Sequence, residues 1–279
     1  MSDQTRRRVL AALGGTVAVG LAGCSGGGNG TATDAETTTE GGMTEGGMTT
    51  TEGEMTEGGM TTTEGGMDGG EQAMVRVSHM SPDAPNVDIY VDGGDPVLTD
   101  VPFGTTSGYL QLPGGTYDVA VAPAGTSVDD AVIDASLPVE AGTSYTVAAI
   151  GEATSSDTEL RPLVLEDDVS DPGGDSARVR VVHASPDAPA VDVTVASSGD
   201  AIVDGAAFGD SASVTVPAND YTLEIRGDTD SNDGDVVADF DVSLNGGTVY
   251  TAFAAGYLSP DDEPQDVSFD LLVEQDASY

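Results

Sequence analysis

The sequence predicts an all-β protein: two tandem immunoglobulin-like or transthyretin-like β-sandwiches that follow a disordered stalk. Three observations predict it. Apolar and polar residues alternate in short runs, as in Val87, Ile89 and Val91 against Asp88, Tyr90 and Asp92, which is the period of a half-buried strand. Gly, Pro and Asp punctuate these runs, and no helical stripe of useful length interrupts them. The whole body also occurs twice, with Val75 to Ile89 matched by Val179 to Val193 at a constant offset of 104.

The chain begins with a different kind of segment. Arg6, Arg7 and Arg8 precede an apolar run that ends in Leu21-Ala22-Gly23 before Cys24, the only cysteine. A basic start, a short apolar stretch and small residues before a cut site define a secretory signal, here with a lipobox, and the arginine pair resembles twin-arginine export. The run falls short of the roughly 20 residues a spanning helix needs, and glycines break it. Residues 1–23 therefore read as a cleaved signal, and Cys24 as the lipid-bearing N-terminus whose two acyl chains partner the membrane. The exported body has no disulfide, because no second cysteine exists.

Residues 24–72 read as the stalk. Threonines, Glu, glycines and Met recur in a degenerate unit with too little apolar surface to fold, and 48 such residues span about 40 Å as a coil. Clustered threonines suit O-glycosylation, and Asn29-Gly30-Thr31 is an N-glycosylation sequon. The spaced methionines could capture a soft metal, but repeat expansion of a linker explains them without any function.

Forty-nine acidic residues face eight arginines and no lysine, for a formal charge of −41. With Arg6 to Arg8 and Asp3 lost to the signal, five arginines against 48 acids leave a mature charge of −43. Such a surface repels itself in dilute buffer, and about 1 M salt screens it to roughly 3 Å. The composition resembles that of extreme-halophile proteins. Without a basic patch to release counterions, nucleic acid is excluded as a partner, while cationic ligands and metal ions remain permitted.

The first sandwich reads as 73–168, a linker of turn residues as 169–175, and the second sandwich as 176–279. Val75/Val77, Tyr117/Val119/Val121, Val132 to Leu137 and Tyr145/Val147/Ala149 supply further strands. Leu163-Val164-Leu165 and Leu271-Leu272-Val273 close the two copies. Landmarks recur in order: Phe103-Gly104 with Phe208-Gly209, Tyr117 with Tyr221, and Gly142-Thr143-Ser144-Tyr145-Thr146 with Gly247-Thr248-Val249-Tyr250-Thr251. With the His-x-Ser-Pro-Asp-Ala-Pro-x-Val-Asp block, these residues resemble the domain of unknown function 4397 family. The resemblance covers both copies, although Ala218-Asn219-Asp220 stands where the first copy has Gly114-Gly115-Thr116. It implies exported tandem modules and brings no established activity.

Three sets of residues are candidate sites. His79, Ser81 and Asp83, with His183, Ser185 and Asp187, contain the residue types of a hydrolase triad. All three fall within five residues bent by Pro82 and Pro85, or by Pro186 and Pro189, and that spacing suits a strand-to-strand corner better than catalysis. No catalytic residue is assigned. Arg76 and Arg180 occupy matching positions, as do Asp88 and Asp192, and the expectation is one Arg–Asp pair per copy on the outer face of the sheet. Asp228, Asp230, Asn232 and Asp235 give the alternating oxygens of a calcium loop, with Gly234 one place late for an EF-hand. A solvated acidic hairpin is the competing reading, so calcium is the one cofactor considered.

The function expected is a lipid-anchored surface module that binds a cell-envelope protein or glycan, mediates adhesion or supports the envelope, without catalysis. The alternatives are a solute-binding lipoprotein and a carboxylate-based hydrolase.

Overall fold

The computed structural model describes residues 71–155 and 158–279, so the signal, Cys24, Asn29 and the stalk lie outside the described residues. The described residues fall in one compact unit.

The first repeat contains β1 (Ala73–His79), β2 (Val87–Val91), β3 (Pro96–Val101), β4 (Thr105–Thr106), β5 (Leu110–Leu112), β6 (Gly115–Pro123), β7 (Ile133–Val139), β8 (Ser144–Ile150) and β9 (Arg161–Glu166). The second contains β10 (Ser176–His183), β11 (Val191–Val195), β12 (Ala201–Ala206), β13 (Ser211–Pro217), β14 (Asn219–Gly227), β15 (Val236–Leu244), β16 (Thr248–Ala255) and β17 (Asp270–Ser278). Each repeat is a sandwich of two sheets. In the first, β4 and β5 flank β1, followed by β8 and β9, and the opposite sheet runs β3-β2-β6-β7. The second repeats this order as β13-β10-β16-β17 and β12-β11-β14-β15. Within each first-named sheet one pair is parallel, β1 with β8 and β10 with β16. This order differs from the ABED and CFG sheets of an immunoglobulin domain and is the transthyretin-like alternative.

The alternation behind the strand assignments holds where one face meets the core. Tyr145, Val147 and Ala149 of β8 point into their own sandwich, as do Tyr250, Ala252 and Ala254 of β16. It disappears in burial, because β16 is buried at all eight positions and β8 at six of seven. The other faces of these strands carry Ala148, Ile150, Phe253 and Ala255, which join Met80, Leu165, Val182 and Ala184 in a cluster drawn from both repeats. The two sheets with parallel pairs therefore pack outer face against outer face. Residues between the repeats are held as well: Arg178 donates to the carbonyls of Asp168 and Ser170, and the Gly247 amide donates to Gly173.

The landmark residues brace these elements. Phe103 meets His79 edge-on at 6.4 Å, and Phe208 meets His183 at 6.2 Å. The glycines after them have φ of +76° and +89°, which lets their amides turn back to the His79 and His183 carbonyls at 2.8 Å. Tyr117 and Tyr221 each donate to the proline carbonyl four residues earlier, Pro113 and Pro217.

Candidate functional site

The two Ser-Pro-Asp corners follow β1 and β10. His79 is buried, and its Nε2 lies 3.1 Å from the Pro85 carbonyl oxygen, while its Nδ1 accepts from the Ser81 amide at 3.4 Å. A carbonyl only accepts, so Nε2 carries the hydrogen. His183 makes the same bond to Pro189 at 3.0 Å, with its Nδ1 left without a partner among the described residues. Burial lowers the pKa of both imidazoles and outweighs the opposing bonds from Pro85 and Pro189.

The serines turn away from the histidines. Ser81 Oγ donates to Asp83, and Ser185 Oγ donates to Asp187 at 3.1 Å and to the Gly256 carbonyl at 2.6 Å. Asp83 accepts the amides of Ala153 and Thr154 at 2.7 Å and the Thr154 hydroxyl at 2.6 Å. Asp187 accepts the amides of Leu258 and Ser259, both at 2.7 Å. Burial works to raise the Asp83 carboxyl, and the bonds from Thr154, Ala153 and Ser155 together hold it below its ordinary value. Nucleophilic catalysis needs the serine proton handed to the imidazole. Here it goes to a carboxylate or a carbonyl, and each aspartate ties the corner to the loop that follows β8 or β16. Pro82, Pro85, Pro186 and Pro189 fix the backbone φ through these bends.

The expected Arg76–Asp88 and Arg180–Asp192 pairs are not formed. Asp88 accepts the amides of Asp100 at 2.8 Å and Gly125 at 2.9 Å, and Asp192 those of Gly205 at 2.8 Å and Thr229 at 3.1 Å. Both aspartates are buried in loop-closing roles. The arginines instead face the inter-repeat contact and exchange partners across it. Arg76 meets Asp276 of the second repeat at 2.6 Å, and Arg180 meets Asp167 of the first at 2.6 Å.

Asp167 and Asp276 are equivalent, because each follows the residue paired with the tyrosine that the two repeats share, Glu166 with Tyr145 and Gln275 with Tyr250. Thr146 and Thr251 complete the exchange. Each donates to the aspartate of its own repeat and accepts from both guanidinium groups, and the two cross-repeat bonds are each 3.4 Å. Two symmetric pairs thus form around a pseudo-twofold axis. Tyr109 breaks the symmetry: its hydroxyl donates to Asp167 at 2.7 Å and its ring lies 4.9 Å from the Arg76 guanidinium carbon, whereas Arg180 has Ser213 beside it. Burial pushes the Asp276 carboxyl up against the pull of Arg76, and pushes the Tyr109 hydroxyl up as well. A further contact joins equivalent positions, the Tyr257 hydroxyl donating to Glu152 at 3.1 Å.

In the acidic loop, Asp228 converges with Asp192 and Asp204, with one carboxylate oxygen of each lying within 4.8 Å of the others. Asp230 and Asp235 are not in that group. The Asn232 amide nitrogen, turned inward, donates to Asp192 and Asp204 at 3.1 Å each. The sequence reading named Asp228 and Asn232 but not Asp204, which comes from β12.

The family model described as Domain of unknown function (DUF4397) matches residues 73–194. That span contains the first repeat, both Ser-Pro-Asp corners and the first two strands of the second repeat. No curated protein matches the chain. Among solved structures, the Bacillus anthracis TIE protein is 12% identical with a TM-score of 0.21, over 67% of this chain and 34% of that one. The fimbrial anchor protein Mfa2 from Porphyromonas gingivalis is 13% identical with a TM-score of 0.21, over 75% of this chain and 100% of its own. The chain spans about a third of the length of the TIE protein.

Proposed function

We propose that the chain is an exported protein, lipidated at Cys24, that presents its paired sandwiches at the cell surface to bind a cell-envelope protein or glycan, without catalysis. The signal and lipobox residues support the export and the anchor. One observation carries the non-catalytic reading. In both repeats the serine, the aspartate and the histidine Nε2 of the corner spend their hydrogen bonds on fastening the fold, and among the described residues no hydroxyl bonds to either imidazole. Twin-arginine export, a glycosylated stalk with Asn29 modified, and high-salt surroundings belong to the same proposal. Calcium stays outside it, because the Asn232 amide satisfies two of the three converging carboxylates.

The test uses Cys24→Ala beside the natural chain. The proposal expects the natural protein in the membrane fraction with incorporated lipid label, and the variant released. Pull-down of envelope extract in multimolar salt then yields a specific protein or glycan. Turnover of ester, peptide or glycoside substrates that disappears on changing a carboxylate pair would replace the binding reading with the hydrolase.

A further inference from the structure

The two repeats differ in how their sandwiches are filled. In the second, the buried apolar residues form one continuous cluster, with Phe240 and Phe269 packed against it and their rings 6.0 Å apart. In the first they divide into two clusters, one around Ile89 and one around Leu137, bridged by Val119. The register explains the difference. Ala135 pairs with Val119 as Phe240 pairs with Leu223, so alanine stands where the second repeat has a phenylalanine. Leu160 likewise follows the bridge residue Glu159 as Phe269 follows Ser268.

Two cavities of about 100 and 90 Å³ occupy the first sandwich. Both are lined by Val77, Ile89, Val119, Leu137 and Val147, so they adjoin across the same core side chains. One extends to Ala135, Pro162 and Val164 at the β7/β9 edge, and the other to Val97, Leu110 and Leu112 at the β3/β5 edge. Ser136 is the polar side chain in the first lining, and the second is apolar, the Tyr117 hydroxyl being spent on the Pro113 carbonyl. At each edge a lining valine is open to solvent, Val164 at 46% and Val97 at 44%.

We propose that the first sandwich binds one neutral aliphatic chain, inserted between its sheets from the β7/β9 edge. An apolar cavity of roughly 150 Å³ stays dry and takes up benzene, so cavities of this size and lining favour a hydrocarbon over water. A chain along the shared wall also covers the exposed Val164. Neither lining contains a cationic side chain to pair with a carboxylate or phosphate head, which makes the ligand a neutral long-chain molecule such as an alcohol. This inference rests on the sandwich alone and is independent of the anchor and of the envelope partner.

The probe is 1-decanol, with decanoate as the charged control, added to the full-length mature protein in multimolar salt and followed by calorimetry and by methyl NMR. One molecule of decanol binds per chain, decanoate binds at least tenfold more weakly, and the shifted methyls belong to Val119, Leu137 and Val147. Ala135→Phe, which installs the residue of the second repeat, weakens binding at least tenfold and leaves the thermal midpoint unchanged or higher. Should that variant fail to fold, Val164→Asp at the exposed edge gives the same loss without disturbing the core. Absence of decanol binding, equal binding by both variants, or shifts confined to the second repeat would overturn the proposal.

Discussion

Asp276, near the end of the last strand, lies 2.6 Å from Arg76 in the first strand of the other repeat, and both side chains are only 3% exposed. The same contact is made in reverse by Arg180 and Asp167. Removing one member of a buried pair strands a charge that water no longer reaches. Arg76→Met should therefore cost about 3–5 kcal/mol, and the double change Arg76→Met with Asp276→Leu should recover much of it. Urea unfolding of the natural chain and the two variants at one salt concentration measures this. A single-variant cost under about 1 kcal/mol would describe an exposed pair instead.

The corner aspartates act through the backbone. Asp187→Ala leaves the Leu258 and Ser259 amides without their acceptor, at a cost of about 1–3 kcal/mol for each group that stays buried. Hydrogen exchange should quicken at these two amides before it does in β16. Exchange unchanged at both would remove the fastening role.

Burial lowers the pKa of both histidines from the ordinary 6.5. The unfolded chain then binds protons that the folded chain refuses as pH falls through 6.5. Stability is fully present above that value and declines below it, with a slope of up to about 1.4 kcal/mol per pH unit for each histidine. Glu274 and Asp276, raised by burial, work in the opposite direction in the carboxylate range. Unfolding free energies at pH 7.5 and 5.5, for the natural chain and His183→Gln, test the assignment; the variant should lose about half of the slope.

Surface repulsion and the buried pairs respond differently to salt. Between 0.1 and 1 M the screening length shrinks from about 10 to 3 Å, so the unfolding midpoint should rise in the natural chain. Arg180 and Asp167 are only 9% and 1% exposed, and the cost of breaking that pair should change little over the same range. A midpoint indifferent to salt would remove surface charge as the governing influence.

Much of the fold was legible in the sequence. The alternation through Val87, Ile89 and Val91 marks β2, and the offset of 104 carries β1, β2 and β6 to β10, β11 and β14. The partners of Arg76 and Arg180 were not legible. A repeat read by itself offers Asp88 as the nearest matching carboxylate, whereas the packing that matters joins two sheets across repeats. The constant offset also fails where it is needed, since Asp167 and Asp276 stand 109 apart after small insertions. A signal was available in Thr251-Ala252-Phe253-Ala254-Ala255, which has apolar or small residues on both faces and so reads as a strand covered on both sides. The empty space beside Ala135 has no sequence signature until the register aligns it with Phe240.

The central claim is that exchanged arginine–aspartate pairs and the shared apolar cluster make the two repeats one cooperative body. Hydrogen exchange by mass spectrometry, followed peptide by peptide through a urea series on the full mature chain, tests it most directly. The account predicts that β8 and β16 lose protection at the same urea concentration, and that Arg76→Met lowers both together. Loss of protection in one repeat while the other remains folded would contradict it.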